Sequence, residues 1–326
     1  MKIGIVTPAP PRSLYGNRIT ALRWAKILKS LGHRITLMQT YGGETYDLLV
    51  TLHARRSYPA IRQFSREHPQ RPLIVALTGT DLYRDLARSR KAQQSLDLAT
   101  RIVTLQPKAF EALKPEWREK TRVIYQSARA PSQRGIRGRS NQDVRTFDVC
   151  VAGHLRPVKD PFRAALAARR LPPSSRIRIL HLGAAMTQAM AAHARSEMKV
   201  NPRYRWLGEK PSGQVWRILR QSKLCVLCSK LEGGANILSE AIVAGTPVIA
   251  SRIPGSVGIL GEDYPGYFTV GCTDELATLL ARAERDSAFL STLRKRCRKL
   301  RPLFAPAQER AAWRNLLAEL CASQRS

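Results

Sequence analysis

Acidic residues are scarce in this chain. Its 24 Asp and Glu face 55 Lys and Arg, a formal charge of +31 over 326 residues. Aromatic residues are also few, at 6%, and the arginines run along the whole length rather than gathering with aromatics in one face or tail. A nucleic-acid binder more often concentrates its charge, so a solvated arginine-rich surface is the plainer reading and no nucleic-acid partner is expected. An anionic small-molecule substrate fits the charge equally well. No apolar run approaches eighteen residues, and MKIGIVTPAP at the start reads as a strand ended by prolines. Neither a membrane span nor a signal peptide is expected, which points to a cytoplasmic protein. Cysteine is sparse: six residues show no framework spacing. The one C-x-x-C, Cys225 and Cys228, lies inside the apolar run LCVLC and has no second pair for zinc. Buried thiols in a reducing compartment are the expectation.

What the chain does have is length for two domains and an ordinary 44% of hydrophobic residues. Short apolar runs alternate with helical patterns. Strands are expected at Lys2–Thr7, Arg34–Gln39, Asp47–Leu52, Pro72–Leu77, Arg101–Leu105 and Thr121–Tyr125, with an amphipathic helix over Arg18–Leu31 stopped by Gly32. RAPSQRGIRGRSNQDV then breaks the pattern with Gly, Ser and Arg. Afterwards strands are expected at Phe147–Val151, Arg176–Leu182, Tyr204–Leu207, Lys223–Cys228 and Pro247–Ala250. Helices are expected at Asp160–Arg170, Ala184–Lys199, Ser212–Gln221 and Asn236–Ala244, followed by a mostly helical tail over Ser287–Gln324 interrupted near Pro302 and Pro306. Such alternation argues for parallel α/β sheets. The domains read as 1–128, a linker 129–145, 146–300, and a C-terminal helix 301–326 able to pack back on the first domain. Ligands would bind in a cleft between the domains, beyond the carboxyl ends of the strands.

The stretch LEGGANILSEAIVAGTPVIAS is the most informative. It sets Glu232 and Glu240 eight residues apart across a Gly-Gly-Ala turn that opens a helix at Asn236. Backbone N–H groups at a helix start suit phosphate, and a carboxylate there can accept hydrogen bonds from the vicinal hydroxyls of a ribose. Phosphate plus ribose means nucleotide. The plainer alternative, two surface carboxylates on a loop and a helix, leaves the Gly-Gly and Gly-Thr-Pro context unused.

These motifs resemble those of GT-B glycosyltransferases whose second domain carries a Glu-x7-Glu signature, and the resemblance implies two Rossmann-like domains with parallel sheets facing each other across a cleft. It also implies that Glu240 bonds the ribose, that Glu232 lies beside the donor sugar, and that amides from Gly233, Gly234, Ala235, Asn236, Ile237 and Leu238 approach sugar and pyrophosphate. In VAGHLRPVKD, Gly153 and Lys159 match a diphosphate-holding loop, while His154 stands where the family has arginine. Glu232, Lys159 and His154 are the implied catalytic set. YRWLGEKPS resembles the turn that flanks the base and offers Glu209 and Lys210.

The first half is more particular. TPAPPRSLYGNRITALRWA, LHARRS and ALTGTDLYRDL, taken with the donor motif, resemble the selenosugar synthases of selenoneine biosynthesis (SenB type). The family's common HGTD histidine is Thr78 here, and its VIPNG segment is VIYQS, Val123 to Ser127, with Ile124 to Ser127 in place of IPNG. The resemblance implies transfer of N-acetylglucosamine or glucose from a UDP-sugar to the selenium of selenophosphate, with no cofactor and no essential metal. A selenolate is nucleophilic at neutral pH without a general base, so the missing histidine is accommodated. Acceptor contacts would come from Gly16, Asn17, Arg18, His53, Arg55, Arg56, Thr80 and Asp81, with Arg12 and Arg84 as further cations. Plainer roles exist for several. Gly16 can turn the chain into a helix, His53 can be a satisfied structural histidine, Arg55 and Arg56 can be solvated, and Asp81 can cap a helix near Leu82. Two other functions compete: conventional transfer to a hydroxyl acceptor, and a basic nucleic-acid-binding protein.

Overall fold

The structure, a computed structural model, describes residues 1–130 and 146–323. The expected linker 129–145 therefore lies outside the described residues, except for Arg129 and Ala130. The chain divides into two compact units. The first comprises Met1–Ser127 with Glu232–Gly234 and Ala305–Ser326, and the second comprises Ala128–Leu231 with Ala235–Phe304.

The first unit holds a parallel sheet of β1 (Lys2–Val6), β2 (Arg34–Met38), β3 (Leu48–Leu52), β4 (Leu73–Ala76), β5 (Arg101–Thr104) and β6 (Thr121–Val123), in the order β2-β1-β3-β4-β5-β6. LLVTL in β3 and LIVA in β4 are buried throughout, as strands covered by helices on both faces must be. One face packs on α2 (Tyr58–Glu67), α3 (Arg90–Leu98) and the short α4 (Pro115–Glu119), through Phe64, Leu96 and Trp117. The opposite face is covered by α1 (Gly16–Ser30) and by the last helix of the chain. There Trp24 meets Trp313 edge to face, with centroids 4.9 Å apart.

The second unit repeats the plan with β7 (Phe147–Ala152), β8 (Ile177–Leu182), β9 (Tyr204–Trp206), β10 (Leu224–Leu227), β11 (Val248–Ser251) and β12 (Tyr267–Phe268), ordered β12-β11-β10-β7-β8-β9. Helices α5 (Arg163–Arg169), α6 (Gln188–Val200), α7 (Ser212–Gln221), α8 (Asn236–Ala244), α9 (Pro254–Leu260), α10 (Thr273–Arg285) and α11 (Ser287–Leu300) accompany them. A 3₁₀ turn at Arg301–Phe304 precedes α12 (Pro306–Ser323), which opens on a proline where the missing N–H costs nothing. Two parallel, Rossmann-like sheets are thus the fold, as the alternation implies.

Two helix starts differ from expectation, one through a distant pairing and one through a local turn. The helix expected from Ala184 begins only at Gln188, because an isolated bridge pairs Leu155 with Ala185 and Thr187 caps the amide of Met190. The helix expected from Asp160 begins at Arg163, since Asp160 is left-handed (φ 43°) and its carboxylate turns to the Arg163 guanidinium. Helices α9 and α10 and strand β12 carry no signal that the sequence reading used. In LCVLC, burial pushes the Cys228 thiol up, and Cys225, raised first by a hydrogen bond to Cys150 and then by burial, faces that residue across the β7–β10 register. All six cysteines are free thiols.

Candidate functional site

Both sheets reverse their winding direction once, the first between β1 and β3 and the second between β7 and β10. Ligands of doubly wound sheets bind at such switch points, beyond the carboxyl ends of the strands. The sequence-predicted residues fall on the segments that follow β1, β3, β4, β7, β9 and β10.

In the second unit, β7 runs into the turn Gly153–Asp160. Glycine at 183 makes this turn possible: its φ is +145°, and a Cβ there would stand 2.1 Å from the Gly153 carbonyl oxygen. His181, a residue that no motif flagged, braces the same carbonyl from below. Its Nε2 lies 3.1 Å from the Gly153 oxygen and its Nδ1 lies 3.0 Å from the Tyr204 hydroxyl. Full burial lowers its pKa to about 4, so the ring is neutral: Nε2–H donates to Gly153 and Nδ1 accepts from Tyr204. His154 follows, with its side chain mostly buried, and its Nδ1 accepts the Ala184 N–H at 3.2 Å. Glu209, on the loop after β9, brings a carboxylate oxygen to 3.9 Å from that nitrogen. His154 thus joins the turn after β7 to the loops that follow β8 and β9. Lys159 lays its aliphatic stem against Gly153, with Cδ 3.8 Å from where a Cβ would be. The Lys230 amide donates to the Val158 carbonyl, joining this turn to the loop after β10.

That loop leads to α8. Asn236 begins the helix, Ala235 precedes it without a side-chain cap, and Glu240 sits one turn in, partly buried. Gly245, at φ 82°, ends it, and the Thr246 amide closes back on the Ala241 carbonyl. Gly153, Lys159, Glu209, Asn236, Ile237, Leu238 and Glu240 thus all belong to the carboxyl-end loops of one sheet or to the helix that follows.

Glu232, Gly233 and Gly234 cluster instead with the first unit. Their glycines are sterically required. A Cβ on Gly233 would stand 2.6 Å from the Thr78 carbonyl carbon, and one on Gly234 would stand 2.7 Å from Leu105 Cβ. Gly79, at φ +130°, would strike the Gly233 nitrogen at 2.6 Å. LTGTD and EGG meet backbone to backbone, which accounts for glycine in both.

Elsewhere in the first unit, Gly16, Asn17 and Arg18 form the first turn of α1, which has no side-chain cap. Gly16 lacks a positive φ, and an added Cβ would meet nothing within 4 Å, so neither turn geometry nor packing demands glycine there. His53 follows β3 in a left-handed conformation (φ 76°), a strained choice for histidine. Its Nδ1 accepts the Arg56 N–H at 3.3 Å, and its Nε2 lies 3.3 Å from the Thr80 hydroxyl and 4.0 Å from an Asp85 carboxylate oxygen. Asp85 collects Arg84 Nε at 3.0 Å and Arg55 at 3.4 Å, and both guanidinium side chains stay half exposed. Asp81 departs from both readings offered for it. It is fully buried, and its carboxylate accepts the N–H groups of Thr78 and Gly79 at 2.9 Å and of Ala54 at 3.1 Å. It ties the loops after β3 and β4 together, has no surface for a ligand, and lies inside the short helical turn Asp81–Asp85 rather than capping one.

Comparison with known proteins places this geometry. Residues 132–300 match the family described as glycosyl transferases group 1. A D-inositol 3-phosphate glycosyltransferase of Corynebacterium glutamicum (strain R) is 28% identical over 144 residues, 40% of this chain and 34% of that protein. The match thus spans about a third of the relative's length. Among solved structures, HepE of Anabaena in complex with UDP-glucose superposes with a TM-score of 0.76 at 16% identity, covering 99% of this chain and 100% of that one. Sucrose-phosphate synthase from Thermosynechococcus elongatus superposes with a TM-score of 0.75, also at 16% identity and with the same coverage. At these identities the superpositions speak to the fold.

Proposed function

The chain belongs to the glycosyl transferases group 1 family, and on that premise we propose that it transfers N-acetylglucosamine or glucose from a UDP-sugar to the selenium of selenophosphate. The donor reading is supported by the second unit. An uncapped helix start at Asn236 offers amides to a diphosphate, Lys159 offers a cation from the Gly153 turn, and Glu240 offers an acceptor for ribose hydroxyls. The solved complex of HepE carries UDP-glucose, in keeping with such a donor.

The observation that carries the acceptor reading is the state of His53. Its Nδ1 accepts a backbone amide and its Nε2 lies between the Thr80 hydroxyl and the Asp85 carboxylate, so the buried ring is engaged by the protein on both sides and is not placed as a base for an incoming hydroxyl. Thr78 replaces the other histidine candidate in this loop cluster. An acceptor that arrives already deprotonated needs no base. The half-exposed guanidinium groups of Arg55 and Arg84 suit its phosphoryl oxygens. In the reaction the selenium lone pair forms the Se–C1 bond as the C1–O bond to UDP breaks. Water then attacks phosphorus, and the Se–P bond releases a selenol and phosphate.

A hydroxyl acceptor is the second reading, favoured by the inositol phosphate named for the Corynebacterium relative. One assay separates the two: UDP release with UDP-N-acetylglucosamine or UDP-glucose and selenophosphate, thiophosphate or water. Release that requires selenophosphate, with selenium recovered in the sugar product, is expected. UDP release that is indifferent to selenophosphate would overturn the acceptor assignment, and transfer to an inositol phosphate would establish the second reading.

A further inference from the structure

We propose that Gln126 is a positioning residue for the Gly233–Gly234 turn, held to its task by a buried carboxylate on the C-terminal helix. The proposal rests on the glycosyltransferase reading, because the turn matters through what it carries: Glu232 on one side and the start of α8 on the other.

Gln126 follows β6 in the VIYQS segment and is 5% exposed. Its Oε1 accepts from the Thr20 hydroxyl at 2.6 Å and from the Arg23 guanidinium. Two donors on one side fix which end of the amide is oxygen, so Nε2 must face the other way. There it donates to the Gly234 carbonyl at 2.6 Å. Arg23 cannot drift, because its Nε lies 3.1 Å from the Glu309 carboxylate. Glu309 is itself buried and also accepts from Trp24 Nε1 at 2.8 Å and from the Ser127 amide at 2.9 Å. A buried charge with this many donors is fully compensated and therefore rigid.

The consequence follows from peptide planarity. The carbonyl of Gly234 and the N–H of Ala235 belong to one trans plane and point in opposite directions. Gripping the carbonyl from the Gln126 side aims the Ala235 N–H away from it. Packing of Gly233 on Thr78 and of Gly234 on Leu105 sets where the turn lies. The Gln126 hydrogen bond sets how its last peptide is rotated. Loss of that bond leaves position and frees orientation.

Gln126→Glu tests this sharply. The carboxylate keeps an acceptor for Thr20 and Arg23, and the donor facing Gly234 becomes an oxygen facing an oxygen. Four quantities are measured on the full-length protein: thermal midpoint, UDP affinity by calorimetry, kcat for UDP release, and amide hydrogen exchange of the segment 230–240. The midpoint is expected to fall by several degrees, because a buried carboxylate oxygen then faces a carbonyl oxygen with no donor between them. Exchange in 230–240 is expected to accelerate while that of α12 does not. A misplaced catalytic turn predicts a fall in kcat of about 100-fold with UDP affinity nearly unchanged. Gln126→Leu, which removes both sides of the amide, should show the same kcat loss with a lower midpoint. Unchanged exchange in 230–240 for Gln126→Glu, or unchanged kcat, would overturn the proposal. Wild-type protein that neither binds UDP nor releases it would instead fail the functional reading, and the exchange comparison would still decide the tether.

Discussion

His181 should make the second unit acid-sensitive, and the size of the effect follows from its burial. An unfolded histidine takes up a proton near pH 6.5, whereas burial holds His181 unprotonated down to about pH 4. Between those values the unfolded chain binds the proton and the folded chain does not, so stability is complete above pH 6.5 and falls as the pH drops toward 4. The full shift corresponds to about 3 kcal/mol, and about 2 kcal/mol of it is already lost at pH 5. Carboxylates also contribute to acid unfolding, so the comparison must be a difference. Urea unfolding of the wild type and of His181→Gln at pH 7.5 and pH 5.0 supplies it. Glutamine retains an N–H for the Gly153 carbonyl but loses the acceptor for the Tyr204 hydroxyl. The variant should therefore be the weaker by about 1–2 kcal/mol at pH 7.5. At pH 5.0 that deficit should have shrunk by about 2 kcal/mol, vanishing or reversing. A wild-type-to-variant gap that is the same at both pH values would refute the reasoning, since it would mean that His181 titrates alike in both states.

Glu240→Ala is expected to weaken UDP binding by about 1.5–3 kcal/mol, the range for hydrogen bonds to a charged acceptor, read by calorimetry; unchanged affinity would place the ribose elsewhere. Two glycine substitutions should separate conformational strain from collision. Gly245→Ala, where φ is 82° and nothing lies within 4 Å, should cost about 1–2 kcal/mol in urea unfolding. Gly183→Ala, whose Cβ would stand 2.1 Å from a carbonyl oxygen, should cost more than about 3 kcal/mol or prevent folding. Equal costs would show that the Gly153 turn yields easily.

Much of the fold was legible because its signals are local. Continuous apolar strands such as LLVTL, and a helix such as Asn236–Ala244 closed by Gly245, carry their own start and stop. The helix Ser212–Gln221 likewise has the bounds that its sequence implies. The start of α6 is decided instead by a distant contact. Ala184–Met186 has helix-forming residues, yet pairing with Leu155 keeps it extended. The candidate site shows the same division. Gly-Gly-Ala before a helix is legible from sequence alone, and the structure has the helix start at Asn236. His181 gave no warning, because a histidine within a strand looks structural, and its hold on the Gly153 carbonyl exists only once β7 and β8 are paired. Asp81 shows the reverse case: its position in LTGTD suggested a ligand contact, and three backbone amides occupy it instead. Gln126 likewise acquires its role only in the fold, where its amide meets the Gly234 carbonyl.

The first unit takes its final helix from the far end of the chain, and this bears on how the protein is made. Trp313, Leu316, Leu317 and Leu320 complete one apolar face, and Glu309 compensates Arg23. Residues 1–127 emerging from the ribosome hold a full set of six strands, but the part of that face that α12 covers stays open and Arg23 still awaits the Glu309 carboxylate. The second unit has all its own strands and helices on hand earlier, by Phe304. Synthesis order and completion order are therefore inverted: the half translated first is finished last. A fragment cut between the units would inherit the same open face, so dissecting this protein into working halves requires carrying residues 305–323 back to the N-terminal piece.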